Sequence, residues 1–137
     1  MSDLKPELSK KNENHLSKHR YYELRHFCLQ YPEWVKQLSK LEEPLSLEFV
    51  ERFQKASNLP RPTERLAVVR AVLRENVGLI EKVALETDSD ISQWLIYAVT
   101  HGVGFDYLKT VMEIPCERDM YYNRYRKFFW LLDKYRT

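Results

Sequence analysis

Glycine and cysteine are scarce in this sequence. Only 3 of the 137 residues are glycine, whereas a β-sandwich or β-barrel normally needs more glycines for its turns. Helices have no such need, so the composition favours an all-α fold. The two cysteines, Cys28 and Cys116, are fewer than the four or more that a small secreted domain usually carries. We therefore expect both to be reduced thiols in a cytoplasmic protein.

Long apolar runs are also missing. The sequence has no stretch of about 18 apolar residues and no N-terminal apolar segment like that of a signal peptide. We therefore expect neither export nor a membrane as partner. Hydrophobic residues still make up 44% of the chain and aromatic residues 13%, which is enough to bury a core. The chain length predicts a single domain.

The usual patterns of a metal or catalytic centre do not occur. The sequence has neither paired CxxC motifs nor HExxH, and His15 and His19 lack further ligands at zinc spacing. Cys116 has only His101 nearby, and no residue is placed to orient that histidine. No glycine-rich loop could cradle a phosphate. The sequence therefore predicts no catalytic residue, no metal, no cofactor and no enzymatic activity.

Apolar residues recur at helical spacing along most of the chain. They repeat every three or four positions, in segments separated by polar caps, prolines and glycines. We predict an all-α, single compact domain of about five to seven helices over residues 17–137, preceded by a flexible polar arm over residues 1–16. The predicted helices cover residues 17–31, 32–41, 45–56, 63–87, 91–101, 105–112 and 117–135.

The C-terminal third has the order of a helix-turn-helix. Residues 91–132 predict a helix, a glycine break, a short helix, a tight turn and a basic helix that begins at Glu117. The apolar residues that would fix the angle between the last two helices are Leu108, Met112, Ile114 and Met120. Glu113 stands where such a turn often has glycine, and Lys109 stands where a small residue usually lets the helices pack.

In a DNA-binding helix-turn-helix, the second helix enters the major groove. The residues expected to face base edges are Glu117, Arg118, Tyr121 and Tyr122. The residues expected to contact phosphates are Arg124, Arg126 and Lys127. Arginine suits both roles because its planar fork donates two hydrogen bonds at once. Residues 117–137 are basic, with 6 Lys/Arg against 3 Asp/Glu, but similar helix corners also occur as packing alone in all-α domains.

Two segments resemble small proteins encoded in prophages of Gram-positive bacteria. They are HRYYELRHFCLQYPEW (residues 19–34) and IPCERDMYYNRYRKFFW (residues 114–130). Residues 91–132 are also similar to the helix-turn-helix of phage late-transcription regulators, which resembles region 4 of sigma factors. The first resemblance implies the cytoplasm of a bacterial host cell, and the second implies duplex DNA as the partner.

Three functions are open on these grounds. The first is a phage or prophage DNA-binding transcriptional regulator. The second is a phage-encoded factor that binds and inhibits or redirects a host protein, for example a nuclease, because Tyr, Trp and Arg dominate interface hot spots. The pairs Tyr21-Tyr22 and Tyr121-Tyr122 support it, since we do not expect all four rings to be buried. The third is a small packaging or structural component of a phage particle. The apolar end of the last helix also allows a homodimer.

Overall fold

Helices form all the regular structure in the described part of the chain. The computed structural model describes residues 15–42 and 62–137. The helices in these ranges are α1 (Lys18–Leu29), α2 (Tyr31–Glu42), α3 (Pro62–Thr87), α4 (Ser92–His101), α5 (Phe105–Thr110) and α6 (Arg118–Tyr135). These residues contain no strand, so the predicted all-α class is confirmed. The predicted helix over residues 45–56 and most of the predicted arm lie outside the described residues.

Local capping interactions define several helix ends. The Ser17 hydroxyl accepts a hydrogen bond from the backbone N–H of Arg20 (3.3 Å) and so caps α1. Between α3 and α4, Asp88 Oδ1 accepts a hydrogen bond from the backbone N–H of Asp90 (2.9 Å), which holds the turn. Gly102 ends α4 with a φ of 69°, a left-handed conformation that glycine adopts without steric cost.

The chain divides into two compact units. Unit 1 combines Met1–Gln30 with Leu79–Thr137, and unit 2 is Tyr31–Gly78. The buried apolar side chains described in unit 2 are Trp34, Leu41, Leu66 and Leu73. Within this unit, Arg70 Nη2 donates to the backbone oxygen of Leu41 (2.8 Å), so a hydrogen bond joins α2 and α3.

In unit 1, α6 contributes a continuous side to the core. Its buried residues are Tyr121, Tyr122, Phe128, Phe129 and Leu132. On α1, the ring of Tyr21 lies edge-on to Phe129, with centroids 5.1 Å apart, and its hydroxyl shares a hydrogen bond with that of Tyr125 (2.7 Å). Arg20 Nε also donates to Asp133 Oδ1 (2.6 Å). These contacts fix α1 against α6.

The end of α3 contacts the end of α6 within the same unit. The Tyr135 hydroxyl lies 2.7 and 2.9 Å from the two carboxylate oxygens of Glu86. The Lys82 ammonium lies 4.6 Å from the centroid of the Tyr135 ring. The hydrogen bond to Glu86 raises the pKa of Tyr135, because only the neutral phenol can donate it. The last turn of α6 is therefore joined to α3 by polar contacts on the surface.

Candidate nucleic-acid interface

The connection between α5 and α6 is built around two buried residues. Leu108 and Ile114 have almost no exposed surface, and the backbone N–H of Ile114 donates to the backbone oxygen of Leu108 (3.0 Å). Glu113 precedes Ile114 with a φ of 55°, a left-handed conformation that favours glycine. Trp94 on α4 donates from Nε1 to the backbone oxygen of Met112 (2.9 Å). The start of α6 is therefore held by contacts from both α4 and α5.

The rotation of α6 about its axis differs from the sequence prediction. Met120, predicted to be one of the buried contacts, is 40% exposed, whereas Tyr121 is 1% exposed and its ring lies 5.7 Å from that of Phe105. Tyr122 is buried as well. The expectation that both tyrosines face base edges is therefore corrected: each ring points inward, because an aromatic side chain buries more apolar surface than a methionine at the same place.

The exposed face of α6 lies opposite its buried side. Asp119, Met120 and Asn123 are exposed in the first two turns, and Lys127 is partly exposed one turn later. Because Asp119, Asn123 and Lys127 are spaced by four residues, they form one row along the helix, which we call the outer row. It offers a carboxylate, an amide and an ammonium group. Sequence reasoning did not select Asp119 or Asn123, although counting back from Lys127 in steps of four leads to both.

Arg124, a predicted phosphate contact, is turned toward the α3–α4 turn. Its Nε donates to Asp88 Oδ2 (2.9 Å), and its Nη1 donates to Asn123 Oδ1 (2.7 Å). The side chain of Asp88 is only 11% exposed and that of Arg124 is 32% exposed. The guanidinium group is therefore engaged by a nearly buried carboxylate and is less available to a phosphate than the sequence predicts.

The other predicted cations remain accessible to different degrees. Arg118 Nη1 lies 3.6 Å from Asp106 Oδ1, and its guanidinium lies 5.1 Å from the centroid of the Tyr122 ring. Both charged side chains of that ion pair are more than half exposed, so the pair is weak and can open at little cost. Arg126 and Lys127 are partly exposed. The Nε atom of Arg126 is buried and has no hydrogen-bond partner within the described ranges.

A second exposed feature lies on α4 and α5. The rings of Tyr97 and His101 stack with centroids 4.0 Å apart, and the Tyr107 ring lies parallel to that of Tyr97 at 6.2 Å. Tyr107 is 39% exposed, and Val111, which follows α5, is 61% exposed. A hydrogen bond with Tyr107 raises the pKa of Tyr97. We call these four residues the aromatic surface. Its signal in the sequence is the four-residue spacing of residues 97 and 101, which places both on one helix face.

The described residues offer little for metal or thiol chemistry. Residues 15–42 and 62–137 contain no group of three or more His, Cys, Asp or Glu side chains that could hold a metal ion. Cys28 and Cys116 are both buried, and neither forms a disulfide. Burial raises the pKa of each thiol, most strongly that of Cys28, so both are protonated and weakly nucleophilic at neutral pH. Over the same ranges, no helix has the length and apolar character needed to cross a bilayer.

Comparison with known proteins gives no relative for this chain. No family model matches it, and neither a curated protein nor a solved structure matches it. Its function is therefore inferred from the residues of the two exposed features and from their geometry.

Proposed function

We propose that this protein is a DNA-binding regulator that places the exposed face of α6 in the major groove. The observation that carries the proposal is the outer row (Asp119, Asn123 and Lys127), which begins directly after a connection fixed by buried residues. A recognition helix needs polar side chains on one face while the opposite face is anchored in its own domain. Phe128, Phe129 and Leu132 provide that anchor.

The charges on α6 suggest separate roles along the helix. Lys127 and the neighbouring Arg126 are suited to contact phosphates, which supply most of the affinity of DNA-binding proteins. Glu117 and Asp119 lie at the start of the helix and repel phosphates. The charge of Glu117 is partly offset by Lys109, whose Nζ lies 3.9 Å from Glu117 Oε1. The start of α6 is therefore suited to base edges rather than to the DNA backbone. The resemblance of residues 91–132 to a helix-turn-helix supports the same function.

The test measures binding of the full chain to mixed-sequence duplex DNA. Fluorescence anisotropy detects the binding, at about 50 and about 200 mM salt. We expect an affinity that falls steeply with salt, because bound cations displace counterions from phosphates. Changing Lys127 to Ala should weaken binding to all sequences and reduce the slope of log affinity against log salt by about one. Lys18→Ala is the matched control, since it removes the same charge from an exposed site on α1.

Two results would count against the proposal. Absence of binding at the lower salt concentration would show that α5 and α6 form a corner that only packs. Equal losses of affinity in the Lys127 and Lys18 variants would show that binding depends on overall charge rather than on the outer row.

Binding of a host protein is a second candidate function, favoured by the aromatic surface. Interface cores are enriched in aromatic residues and depleted in charged ones, and neither Tyr107 nor Val111 carries a charge. A variant with Tyr107→Ser and Val111→Ser should lose a protein that the immobilised parent captures from bacterial lysate, while Lys127→Ala should retain it. Capture of the same protein by both variants would exclude the aromatic surface as the interface.

A further inference from the structure

One exposed side chain of the outer row is held in place by a chain of hydrogen bonds. Asn123 Oδ1 accepts from Arg124 Nη1 (2.7 Å), and Arg124 Nε donates to Asp88 Oδ2 (2.9 Å). Asp88 is in turn fixed, because its Oδ1 accepts from the backbone N–H of Asp90 (2.9 Å). A nearly buried carboxylate in the α3–α4 turn thus orients an exposed amide on α6.

This arrangement leaves a defined set of hydrogen-bonding groups facing outward. The Asn123 oxygen has two acceptor positions, of which Arg124 occupies one, and the amide nitrogen keeps both donors. An exposed asparagine gains little stability from being fixed, since water satisfies its amide equally well. Fixed polar groups are typical of recognition sites, where orientation before binding lowers the cost of binding.

The groups that Asn123 presents match one base. In the major groove, adenine offers its N6 amino group as donor and its N7 as acceptor, side by side. Asn123 Oδ1 can accept from N6 while Nδ2 donates to N7, and the contact of Oδ1 with Arg124 does not prevent this, because the second acceptor position remains. Guanine places an acceptor, O6, where adenine has its amino group, so it would face the asparagine oxygen unfavourably.

We propose that Asn123 determines specificity for an adenine in the bound DNA, and that Arg124 and Asp88 are its positioning residues. This inference rests on the proposed DNA-binding function and adds to it the base that the site selects.

The experiment selects bound duplexes from a pool with a randomised core, using the full chain and the Asn123→Ala variant, and sequences them. At one position of the parent's site, adenine should be preferred over the other bases by roughly 5- to 150-fold, the range for a single two-bond base contact. Asn123→Ala should remove the preference at that position and leave the other positions unchanged. Because Asn123 is exposed, this variant should melt at the parent's temperature.

Two further variants separate base recognition from a structural role. Asn123→Asp replaces the donors of the amide with an acceptor, so the preference at that position should change from adenine to cytosine, whose N4 amino group donates to carboxylates. A misfolded protein cannot produce such a change. Asp88→Asn should reduce the adenine preference at the same position and leave the base preferences at the other positions unchanged, whereas a merely structural role would weaken binding to all sequences alike.

The outcomes distinguish this inference from the proposed function. If the parent chain selects no duplex at low salt, DNA binding itself fails. If the parent selects a site, but Asn123→Ala and Asn123→Asp select the same site with the same adenine preference, DNA binding stands and the role of Asn123 is overturned.

Discussion

Replacing Gly78 with alanine should stabilise the protein. Gly78 lies inside α3 (Pro62–Thr87) and is exposed, and a Cβ atom built on it meets no other atom within 4 Å. Alanine therefore introduces no clash and reduces the backbone freedom of the unfolded chain. Glycine in a helix interior is about 0.8–1.0 kcal/mol less favourable than alanine. We expect the free energy of unfolding to rise by about this amount.

Thermal denaturation followed by far-ultraviolet circular dichroism measures the effect. For a chain of this length, about 1 kcal/mol corresponds to a rise in Tm of roughly 3–4 °C. Gly102→Ala is the matched control, because Gly102 has a φ of 69° and its added Cβ would meet only Leu29 Cδ2, at an ordinary 3.6 Å. The cost of Gly102→Ala therefore comes from the backbone conformation, and we expect the free energy of unfolding to fall by about 1–2 kcal/mol.

The two substitutions are expected to shift Tm in opposite directions. A fall in Tm for Gly78→Ala would refute the reasoning, since it would mean that the backbone at Gly78 is not an exposed helix interior. A rise in Tm for Gly102→Ala would likewise contradict the left-handed end of α4.

Three further predictions concern other contacts. The double variant Asp88→Ala with Arg124→Ala should lose less free energy of unfolding than the sum of the losses in the two single variants. We expect a coupling of about 1 kcal/mol in urea denaturation. Strictly additive losses would show that the two residues do not interact. Tyr135→Phe should lower Tm at neutral pH. The difference in Tm between variant and parent should disappear as pH rises through the raised pKa of Tyr135, because its hydrogen bond contributes only while the phenol is neutral. A difference in Tm that persists in alkali would exclude this contribution. A thiol reagent should modify Cys116 before Cys28 in the native protein, because Cys116 is slightly exposed while Cys28 is completely buried with the more strongly raised pKa; the Cys28→Ala variant should retain the faster phase.

Features set by neighbouring residues could be predicted from the sequence. The cap at Ser17, the end of α3 before Asp88 and the end of α4 at Gly102 each depend on side chains within a few positions. Helical spacing of apolar residues was sufficient for the all-α class because that spacing reflects which face is buried. These features do not depend on contacts with distant residues, so they can be predicted from the neighbouring sequence.

The orientation of α6 could not be predicted in the same way. Met120, Tyr121 and Tyr122 are consecutive and all apolar enough for a core, so spacing alone does not decide which of them points inward. Tyr121 and Tyr122 do so because their rings bury more apolar surface, and the ring of Tyr121 packs against Phe105 on α5, a contact that helical spacing does not show. The outer row depends on that rotation, and for this reason the tyrosines were predicted to face the DNA instead of Asp119 and Asn123.

The ion pair between Arg124 and Asp88 could not be predicted from the sequence either. Asp88 is far from Arg124 in the sequence, and the position of Asp88 between two helices is already explained by the turn, in which its Oδ1 accepts from the N–H of Asp90. A carboxylate with two oxygens can serve a local turn and a distant arginine together. Sequence patterns show the first of these roles and give no sign of the second.

The order of the segments in unit 1 has a consequence for synthesis of the protein. Met1–Gln30 and Leu79–Thr137 belong to one unit, so α1 leaves the ribosome well before its partner α6. At about 5–20 residues per second, the delay is roughly 5–20 s. Throughout that time Tyr21 of α1 lacks its partners Tyr125 and Phe129, and a twelve-residue helix is barely stable alone. Nascent chains that stall before α6 are therefore expected to be the form that chaperones and proteases of the cell encounter.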